Sequence, residues 1–497
     1  MQTFAKALPD IKILLILMAC ACIACKKDTA TGGSPAPPTP PSTTNHPPGQ
    51  FTISLVSCSF NSAAVNWTKA TDPDNDPVSY KVYLNDTLKV SGYNSLTYTF
   101  PYLTELTPYT VKIAAVDSNQ NETISSLNFT TKKYYLKFLK KVEYGISDPN
   151  VAKVAGQMVK ANDGGYIIAG NTYSNQPPTL WSKLCAVKID SLGNKMWERT
   201  YDYSRSFELR IVSDRQNGYI MSSGENILKI NDNGDLIWRQ TIADRLEIIN
   251  AIAVYDDGSI YAGGLIPSDS ANGNVVEALL GKLDQNGNLL WKKTFSPTTR
   301  DEFHDLKIYD DELVALALTD GDSTPHFRVL KLTLDGSIIW DKEYSSTWGY
   351  VFPENIIKTS EGNFVFTGFF QGPQYVPYFY LQMIDANGNN LWTYFADNNH
   401  TLGSSVVETK DNALIVTGGY QLTYSAQFAV YKFDKNGNQL SETLYEEFAT
   451  FFLNRTILPT DDGGFIINSQ KSKAYNDPGE TDQIYIFKTD DVGEFRY

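Results

Sequence analysis

The best candidates for acid–base chemistry in this sequence are Asp301, Glu302, His304 and Asp305. Carboxylates and a histidine this close together could act as a general acid and a general base. We interpret the segment as a solvated strand start, because His326 and His400 are isolated and no Gly-x-Ser-x-Gly nucleophile elbow occurs. We therefore predict no catalytic residue, although an active site assembled from distant loops would leave no local motif.

A second group of residues could bind a ligand by stacking. Eight aromatic residues in segments of variable length are the candidates, namely Tyr173, Trp181, Trp348, Tyr350, Tyr375, Tyr378, Tyr424 and Tyr475. Exposed Trp and Tyr rings can stack on sugar rings or anchor a peptide. The alternative for each residue is that it covers the core beneath its own loop.

These segments interrupt a repeat that fills the chain from residue 134 to its end. Each repeat contains a D-G-G-like turn, an apolar run ending in Gly, and a segment close to K-[IL]-D-x-x-G-N-x-x-W. The glycines of the second turn are Gly193, Gly234, Gly287, Gly336, Gly388, Gly437 and Gly493. Short strands that recur about every 50 residues are typical of propeller blades.

Each repeat contains four short strands, and the last one ends before its fourth strand is complete. The segment Phe138–Tyr144 looks like an isolated fourth strand that precedes the first repeat. Pairing this segment with the last repeat would remove two sheet edges. We therefore predict an all-β chain with a seven-bladed propeller over residues 134–497, closed by an N-terminal strand.

In such a four-stranded blade, consecutive connections alternate between the two faces of the ring. The D-G-G turns and the D-x-x-G-N turns should therefore share one face, and the variable segments should lie on the other face. Asp190, Asp284, Asp385 and Asp434 recur in the second turn. Hairpin chemistry explains these residues, so we predict no metal site there.

Residues 51–131 precede the repeats and alternate in polarity as short strands do. Trp67 lies on an early strand, and Leu103 precedes Tyr109 in a V-x-I-x-A-x-D context, in the place of a tyrosine corner. On these residues the segment resembles a fibronectin type III module, which implies a structural role for Tyr109. The acidic run Asp72, Asp74 and Asp76 is more typical of a solvated turn than of a calcium loop, and calcium binding there stays open.

The N-terminus contains a predicted export signal. A lysine-flanked apolar run, too short to span a membrane, ends near Cys20 and Cys25, so residues 1–24 are interpreted as a lipoprotein signal peptide. Cys25 is the preferred lipidation site because polar residues follow it at once, and Cys20 is the alternative. Residues 25–50 are rich in proline and predict a lipidated, semi-rigid linker. Cys58 and Cys185, the two cysteines that follow residue 25, fall in different domains and are expected to be buried free thiols.

Composition excludes one class of partner. The net charge of −14 and the lack of basic clusters argue against a nucleic-acid surface. The membrane should be contacted through the lipid anchor alone.

The start at Cys25, Lys26, Lys27 and Asp28, with the module and repeats that follow, resembles lipoproteins of Bacteroidetes-type bacteria. The resemblance implies an outer-membrane location and display on the cell surface, with the periplasmic face as the alternative. The repeat also resembles quinone-cofactor propellers, but their eight blades and vicinal cysteines are missing, so no cofactor is expected. We predict a non-enzymatic protein that binds a glycan or a protein partner through its variable-loop face. A polysaccharide-processing hydrolase or lyase and a structural envelope component are the alternatives.

Overall fold

The structure is a computed structural model. It describes residues 44–145, 151–174, 181–202, 209–242, 248–267, 276–295, 301–319, 326–345, 350–371, 376–396, 401–421, 426–445, 452–471 and 483–495. Packing divides the chain into two compact units, Met1–Lys133 and Tyr134–Tyr497. All regular elements of the described residues are β-strands. Among these residues, no helix has the length and apolarity needed to cross a membrane.

The first unit contains seven strands in two antiparallel sheets, ordered β1-β2-β5 and β4-β3-β6-β7. Their bounds are β1 Ile53–Cys58, β2 Ala63–Trp67, β3 Ser79–Leu84, β4 Thr87–Tyr93, β5 Thr97–Phe100, β6 Pro108–Val116 and β7 Glu122–Thr130. Alternate residues of β3 are buried, and both sheets contribute to one hydrophobic core that includes Trp67 and Tyr80. The Tyr109 hydroxyl accepts a hydrogen bond from the Thr104 backbone N–H at 2.9 Å, which is the anchoring role expected of this residue.

The acidic run of this unit forms a turn. One Asp72 carboxylate oxygen accepts the backbone N–H groups of Asp74 and Asp76, and Asp74 accepts the backbone N–H of His46. Among the described residues, no group of three or more His, Cys, Asp or Glu side chains is placed to hold a metal ion. Residues 44–50, the end of the predicted linker, lie against this unit through the Gly49 N–H, which donates to the Thr71 carbonyl.

The second unit forms seven four-stranded antiparallel sheets within its described residues. Sheets 1 to 3 contain β9 Val151–Lys160, β10 Tyr166–Ser174, β11 Trp181–Ile189, β12 Lys195–Asp202, β13 Leu209–Ser213, β14 Gly218–Ser223, β15 Asn226–Asn231, β16 Leu236–Thr241, β17 Ile248–Val254, β18 Ile260–Pro267, β19 Val276–Leu283 and β20 Leu289–Phe295. Sheets 4 and 5 contain β21 Asp301–Tyr309, β22 Glu312–Thr319, β23 His326–Thr333, β24 Ile338–Ser345, β25 Tyr350–Lys358, β26 Phe364–Gln371, β27 Pro377–Ile384 and β28 Asn390–Phe395. Sheets 6 and 7 contain β29 Thr401–Glu408, β30 Leu414–Gln421, β31 Ala426–Phe433, β32 Gln439–Tyr445, β33 Phe452–Pro459, β34 Phe465–Lys471, β35 Gln483–Thr489 and, from the start of the unit, β8 Phe138–Val142.

The first strand of each sheet, here called the inner strand, packs against the inner strand of the next sheet, and β33 packs against β9. Sheet 7 is completed by β8, which pairs antiparallel with β35 from Phe138 to Val142. The sequence predicted this pairing, and it is present. A propeller-like ring of repeated sheets therefore closes between its last and first members.

The second turn of the repeat is built by its Asp and Gly. In sheet 5, one Asp385 carboxylate oxygen accepts the N–H groups of Asn387 and Asn389 at 2.8 Å, and the other accepts the Asn389 amide. Gly388 follows with φ of 81°, which disfavours any residue with a side chain. The recurring Asp side chains are thus engaged in their own turns, which accounts for their repetition without a metal.

The tryptophan of the repeat joins neighbouring sheets. Its indole N–H donates to a carbonyl in the second turn of the next sheet in Trp197 to Asp232, Trp238 to Gln285, Trp340 to Ala386 and Trp392 to Lys435. The turn glycine lies under the ring, so a Cβ at Gly287 would be 3.0 Å from Trp238. Phe138 takes this place above Gly193, where sheet 7 meets sheet 1.

The lysine of the repeat ties the two kinds of turn together. The Lys188 ammonium lies 2.9 Å from Asp163 in the first turn of its own sheet and 2.7 Å from Asp232 in the second turn of sheet 2. Both kinds of turn therefore lie on one face, here called the turn face, as the sequence predicted. The opposite face, where the variable segments connect the strands, is here called the loop face.

The two cysteines of the described residues are free thiols. Cys185 is fully buried, and this burial raises the pKa of its thiol. Cys58 is only half-buried, so the prediction of a buried thiol is wrong for this residue. Its sulfur lies 3.5 Å from the Thr130 carbonyl at the edge of the first unit.

Candidate functional site

The structure describes the side chains of only two of the eight aromatic candidates. Trp348, Tyr375, Tyr424 and Tyr475 lie outside the described residues, as do Cys20, Cys25 and His400. Trp181 and Tyr350 begin β11 and β25, where only their backbone is described. Tyr173 and Tyr378 are half-buried, near the loop-face ends of β10 and β27.

Sheet 5 gathers aromatic rings at its loop-face end. Phe352 of β25 stacks on Phe369 of β26, with ring centroids 4.8 Å apart and planes 18° apart. Phe370 of β26 stacks on Tyr378 of β27, also at 4.8 Å, with planes 10° apart. Phe370 is buried, whereas Phe352, Phe369 and Tyr378 keep part of their surface exposed. The aromatic candidate Tyr378 therefore lies in a ring cluster.

A second feature of the ring is a β-bulge in most of the inner strands. The pairing with the second strand shifts register between Ile249 and Ala251, and the equivalent shift occurs in β9, β21, β25, β29 and β33. A bulge inserts one unpaired residue and re-aims the neighbouring side chains and carbonyls, and bulges are common next to active sites. In five of these six strands, one extra residue occupies the same position, namely Asn250, His304, Glu354, Ser404 and Arg455.

The residue after the bulge links one inner strand to the next. The Asp305 carboxylate accepts the Ile356 N–H at 3.1 Å, and the Asn355 side chain accepts the Val406 N–H at 3.1 Å. In the same way Ser405 accepts the Ile457 N–H, and Thr456 accepts the Met158 N–H, which joins sheet 7 to sheet 1. Four different residues make one type of bond, because each supplies an oxygen to a buried donor that would otherwise cost free energy.

At the equivalent place in sheet 2 stands Arg210, which has no acceptor atom. Its guanidinium instead donates to the carbonyls of the bulge residues Asn250 and His304, the latter at 3.0 Å. Ala251 occupies the position in sheet 3. The arginine therefore reaches past sheet 3 to the inner strand of sheet 4.

The inner strands enclose a cavity of about 550 Å³. Its wall comes from β9, β13, β21, β25, β29 and β33, and includes Phe369 of the aromatic pair. Apolar side chains such as Ile211 and Leu402 alternate along it with polar groups of Gln157 and Ser404. A space of this size with apolar walls and a few polar groups is typical of a small-ligand site.

The acid–base candidates are divided by the structure. Asp301 is fully buried, accepts the Thr319 hydroxyl at 2.7 Å and lies 3.7 Å from Arg328. Asp305 is buried as well and is used by the inner-strand bonds described above. The interpretation of this segment as a solvated strand start is therefore wrong for both aspartates.

Glu302 and His304 form a pair on the same strand. The His304 Nε2 lies 2.8 Å from a Glu302 carboxylate oxygen, and both side chains keep a small exposed fraction. This is the arrangement of a carboxylate that orients an imidazole. The structure thus keeps together the two members of the cluster that can reach solvent.

The cavity residues Gln157, Arg210, Glu354 and Phe369 were missed by sequence reasoning. Gln157, Arg210 and Glu354 lie on inner strands, which showed only weak alternation of polar and apolar residues, and Phe369 lies on the neighbouring strand β26. A bulge interrupts the two-residue period of a strand, so the weakness itself was the available signal.

No protein-family model matches the sequence, and no curated protein matches it. Among solved structures, the chain is similar to a protein of unknown function from Bacteroides caccae, with 14% identity and a TM-score of 0.38 over 56% of this chain and 92% of that one. It is also similar to a quinonprotein alcohol dehydrogenase-like protein from Bacteroides thetaiotaomicron, with 8% identity and a TM-score of 0.38 over 78% and 92%. A Hadza microbial sialidase gives 10% identity and a TM-score of 0.40 over 90% and 95%. At such identities and TM-scores, none of these likenesses carries an argument about what this chain does.

Proposed function

We propose that this chain is a non-enzymatic lipoprotein of the bacterial outer membrane, which binds a glycan or a protein partner through the loop face of a propeller. In this proposal the first unit is a fibronectin type III sandwich that acts as a spacer. The second unit is a seven-bladed propeller closed by β8. The seven four-stranded sheets and the inner-strand contacts from sheet 7 back to sheet 1 support the blade number.

The observation that carries the binding role is the aromatic pair Phe352 and Phe369. The two rings stack with part of their surface exposed, and Phe369 also forms part of the cavity wall. Partly exposed, pre-stacked rings offer a flat apolar surface at a low entropic cost, which suits a sugar ring or an aromatic side chain of a partner. Unlike the residues of the turns, these residues do not recur from sheet to sheet.

Glycan and peptide arrays test this role with the wild-type chain and with Phe352→Ala and Phe369→Ala. We expect each variant to weaken binding at least about tenfold, equivalent to about 1.4 kcal/mol, through lost stacking. Met196→Ser is the matched control, because Met196 is exposed on the fourth strand of sheet 1, next to the turn face. The fourth strand of each sheet is here called the outer strand. This variant should bind as the wild type does. Binding that survives both Phe variants would place the ligand elsewhere.

A hydrolase or lyase is the second candidate, and the observation that favours it is the Glu302–His304 pair. The same glycan arrays would detect this activity as a shortening of the bound polysaccharide over time. Turnover that is lost in Glu302→Gln, with binding unchanged, would support an enzyme and contradict the non-enzymatic proposal. A chain that binds nothing on either array would leave a structural role in the envelope.

The lipid anchor is a separate part of the proposal and has its own test. Palmitate labelling should be lost in Cys25→Ala and kept in Cys20→Ala. The reverse result would move the anchor to Cys20. Protease treatment of intact cells should cleave the chain if it is displayed on the surface, and protection would assign it to the periplasmic face.

A further inference from the structure

The exposed apolar side chains of the second unit are not scattered. Among the side chains of this unit that the structure describes, every exposed large apolar one except Tyr134 lies in the second turn of a sheet or at the start of the fourth, outer strand that follows. Sheets 2, 3 and 4 each contribute two such residues, which are between 44% and 56% exposed. These six residues, here called the rim patch, are Leu236, Ile237, Leu289, Leu290, Ile338 and Ile339.

A bulge in the outer strand exposes both members of each pair. The register against the third strand shifts between Leu236 and Trp238, so that Ile237 is the extra residue. The same shift makes Leu290 and Ile339 the extra residues of sheets 3 and 4. A regular strand would turn one of two successive side chains toward each face of the sheet.

The three pairs lie on consecutive sheets that are directly joined. Trp238 of sheet 2 donates to the Gln285 carbonyl in the turn of sheet 3. A Cβ at Gly336 in the turn of sheet 4 would lie 2.9 Å from Trp291 of sheet 3. The rim patch therefore extends over three neighbouring sheets, and exposed apolar patches mark interaction sites.

The turns beside the rim patch are acidic. From Asp190 to Glu494, the seven second turns contain ten carboxylates and one lysine. These carboxylates are Asp190, Asp232, Asp235, Asp284, Asp335, Asp385, Asp434, Asp490, Asp491 and Glu494. The lysine, Lys435, is paired with Glu361 at 2.7 Å. Two of the ten carboxylates are also paired, Asp232 with Lys188 and Asp490 with Lys137.

The carboxylates beside the patch stay ionised to a lower pH than ordinary aspartates do, because their pKa values are lowered. Hydrogen bonds from the Asn288 side chain and backbone lower the pKa of Asp284. Hydrogen bonds from the Thr333 and Ser337 hydroxyls lower the pKa of Asp335. Lys293 of sheet 3 lies over the Trp291 ring and donates to the Asp335 carbonyl at 2.6 Å.

We propose that the rim patch is a docking surface for a polypeptide whose apolar residues are flanked by lysine or arginine. The apolar residues cover the six aliphatic side chains, and the basic residues face the carboxylates of the adjoining turns. A second copy of this chain would bring two acidic turn faces together, and an anionic lipid surface would meet the same repulsion. Charge complementarity therefore selects a basic partner over both. This surface is independent of the loop face and of the function proposed for it.

The test uses a synthetic amphipathic peptide of Leu and Lys, and a matched peptide in which Glu replaces Lys. Titration calorimetry compares the wild-type chain with two triple variants. The patch variant carries Ile237→Ser, Leu290→Ser and Ile339→Ser. The control variant carries Met196→Ser, Leu391→Ser and Leu440→Ser, which occupy the same repeat position on sheets 1, 5 and 6 and are also exposed.

We expect the Leu/Lys peptide to bind the wild type and the control variant, to bind the patch variant about tenfold or more weakly, and to lose affinity as salt is added. Both triple variants should unfold at nearly the same temperature, because all six side chains are exposed. Equal binding by the two triple variants, or equal binding of the Leu/Glu peptide, would overturn the proposal. So would wild-type binding to phosphatidylcholine vesicles, or wild-type self-association, that the patch variant loses.

Discussion

The turn face and the loop face of the ring differ in how far their residues recur from sheet to sheet. On the turn face, the same residue types make the same contact in sheet after sheet, as Trp238 does with Gln285 and Trp340 with Ala386. On the loop face, the strands end in residues that differ between sheets. The aromatic stacks of Phe352 and Phe370, for example, are found where Leu402 and Tyr420 stand one repeat later.

This difference separates residues that close the ring from residues that are free to vary. A contact repeated in most sheets is a condition for packing one sheet on the next, so its residue type is constrained by the fold. A residue found in one sheet alone is not needed for that packing. Mutations of the contacts that recur in the turns should therefore change stability, whereas mutations of the variable residues on the loop face should change ligand binding there.

Replacing Asp305 should have the largest effect on stability. This prediction tests whether Asp305 serves the packing between sheets or belongs to the functional residues of the loop face. Asp305→Ala would leave the buried Ile356 N–H without its acceptor and remove the partner of Lys307 at 2.7 Å. We expect a loss of about 3 kcal/mol in the free energy of unfolding, measured by urea denaturation. Asp305→Asn keeps an acceptor and should lose markedly less. A variant that is fully stable but inactive in a binding or turnover assay would return Asp305 to the functional residues.

Gly287 on the turn face should come next. Its φ of 84° costs a residue with a Cβ roughly 1–2 kcal/mol, and that Cβ would lie 2.7 Å from Gln240 and 3.0 Å from Trp238. We expect Gly287→Ala to lower the free energy of unfolding by about 2 kcal/mol.

Gly281 in the same sheet is the matched control for this change. Its added Cβ would have Leu289 as its nearest contact at 3.6 Å, and its φ is not positive. Gly281→Ala should therefore be neutral or slightly stabilising. Equal losses in both variants would contradict the role assigned to the turn glycine.

The repeat made most of the second unit predictable. The Lys, Asp, Gly and Trp that recur in most repeats make local or nearest-neighbour contacts, so their spacing predicted the strands, the two turns and the shared face. The isolated segment at Phe138 predicted the strand that completes sheet 7, because the last repeat lacked one. Strands and turns can be predicted from regular spacing, because every copy of the repeat has the same local geometry.

The candidate site was much less predictable. The cavity wall depends on bulges, which shift the side-chain direction of every later residue in the strand. No residue type predicts where such a bulge occurs. Asp305 was read as solvated because its partners, Ile356 and Asn355, lie on another sheet. Asp305 is buried because neighbouring sheets pack together when the ring closes. Such burial cannot be predicted from the residues of one strand alone.

Tyr344 tests a smaller contact of the turn face. Its hydroxyl donates to the Gly388 carbonyl of the next sheet at 2.7 Å, as Tyr201 does to Gly234. Tyr344→Phe should cost about 1 kcal/mol in the free energy of unfolding. Sheet 3 already has Phe295 at this position, so the change should not alter the fold. A loss much larger than this would mean that the hydroxyl does more than join two sheets.

Asp385 gives the smallest expected effect, which appears in the pH dependence. Hydrogen bonds from the backbone and side chain of Asn389 lower the pKa of Asp385 in the folded state. Its contribution to stability is therefore present above the unfolded-state pKa of about 3.9 and is lost as the pH falls through the folded-state value. Asp385→Asn should fold, because Asn231 builds the same turn in sheet 2, where it accepts the Asn233 and Asp235 N–H groups. Thermal unfolding from neutral pH to pH about 2 should show the wild type above the variant at neutral pH and the two converging in acid. A constant difference across this range would mean that the carboxylate charge contributes nothing to the turn.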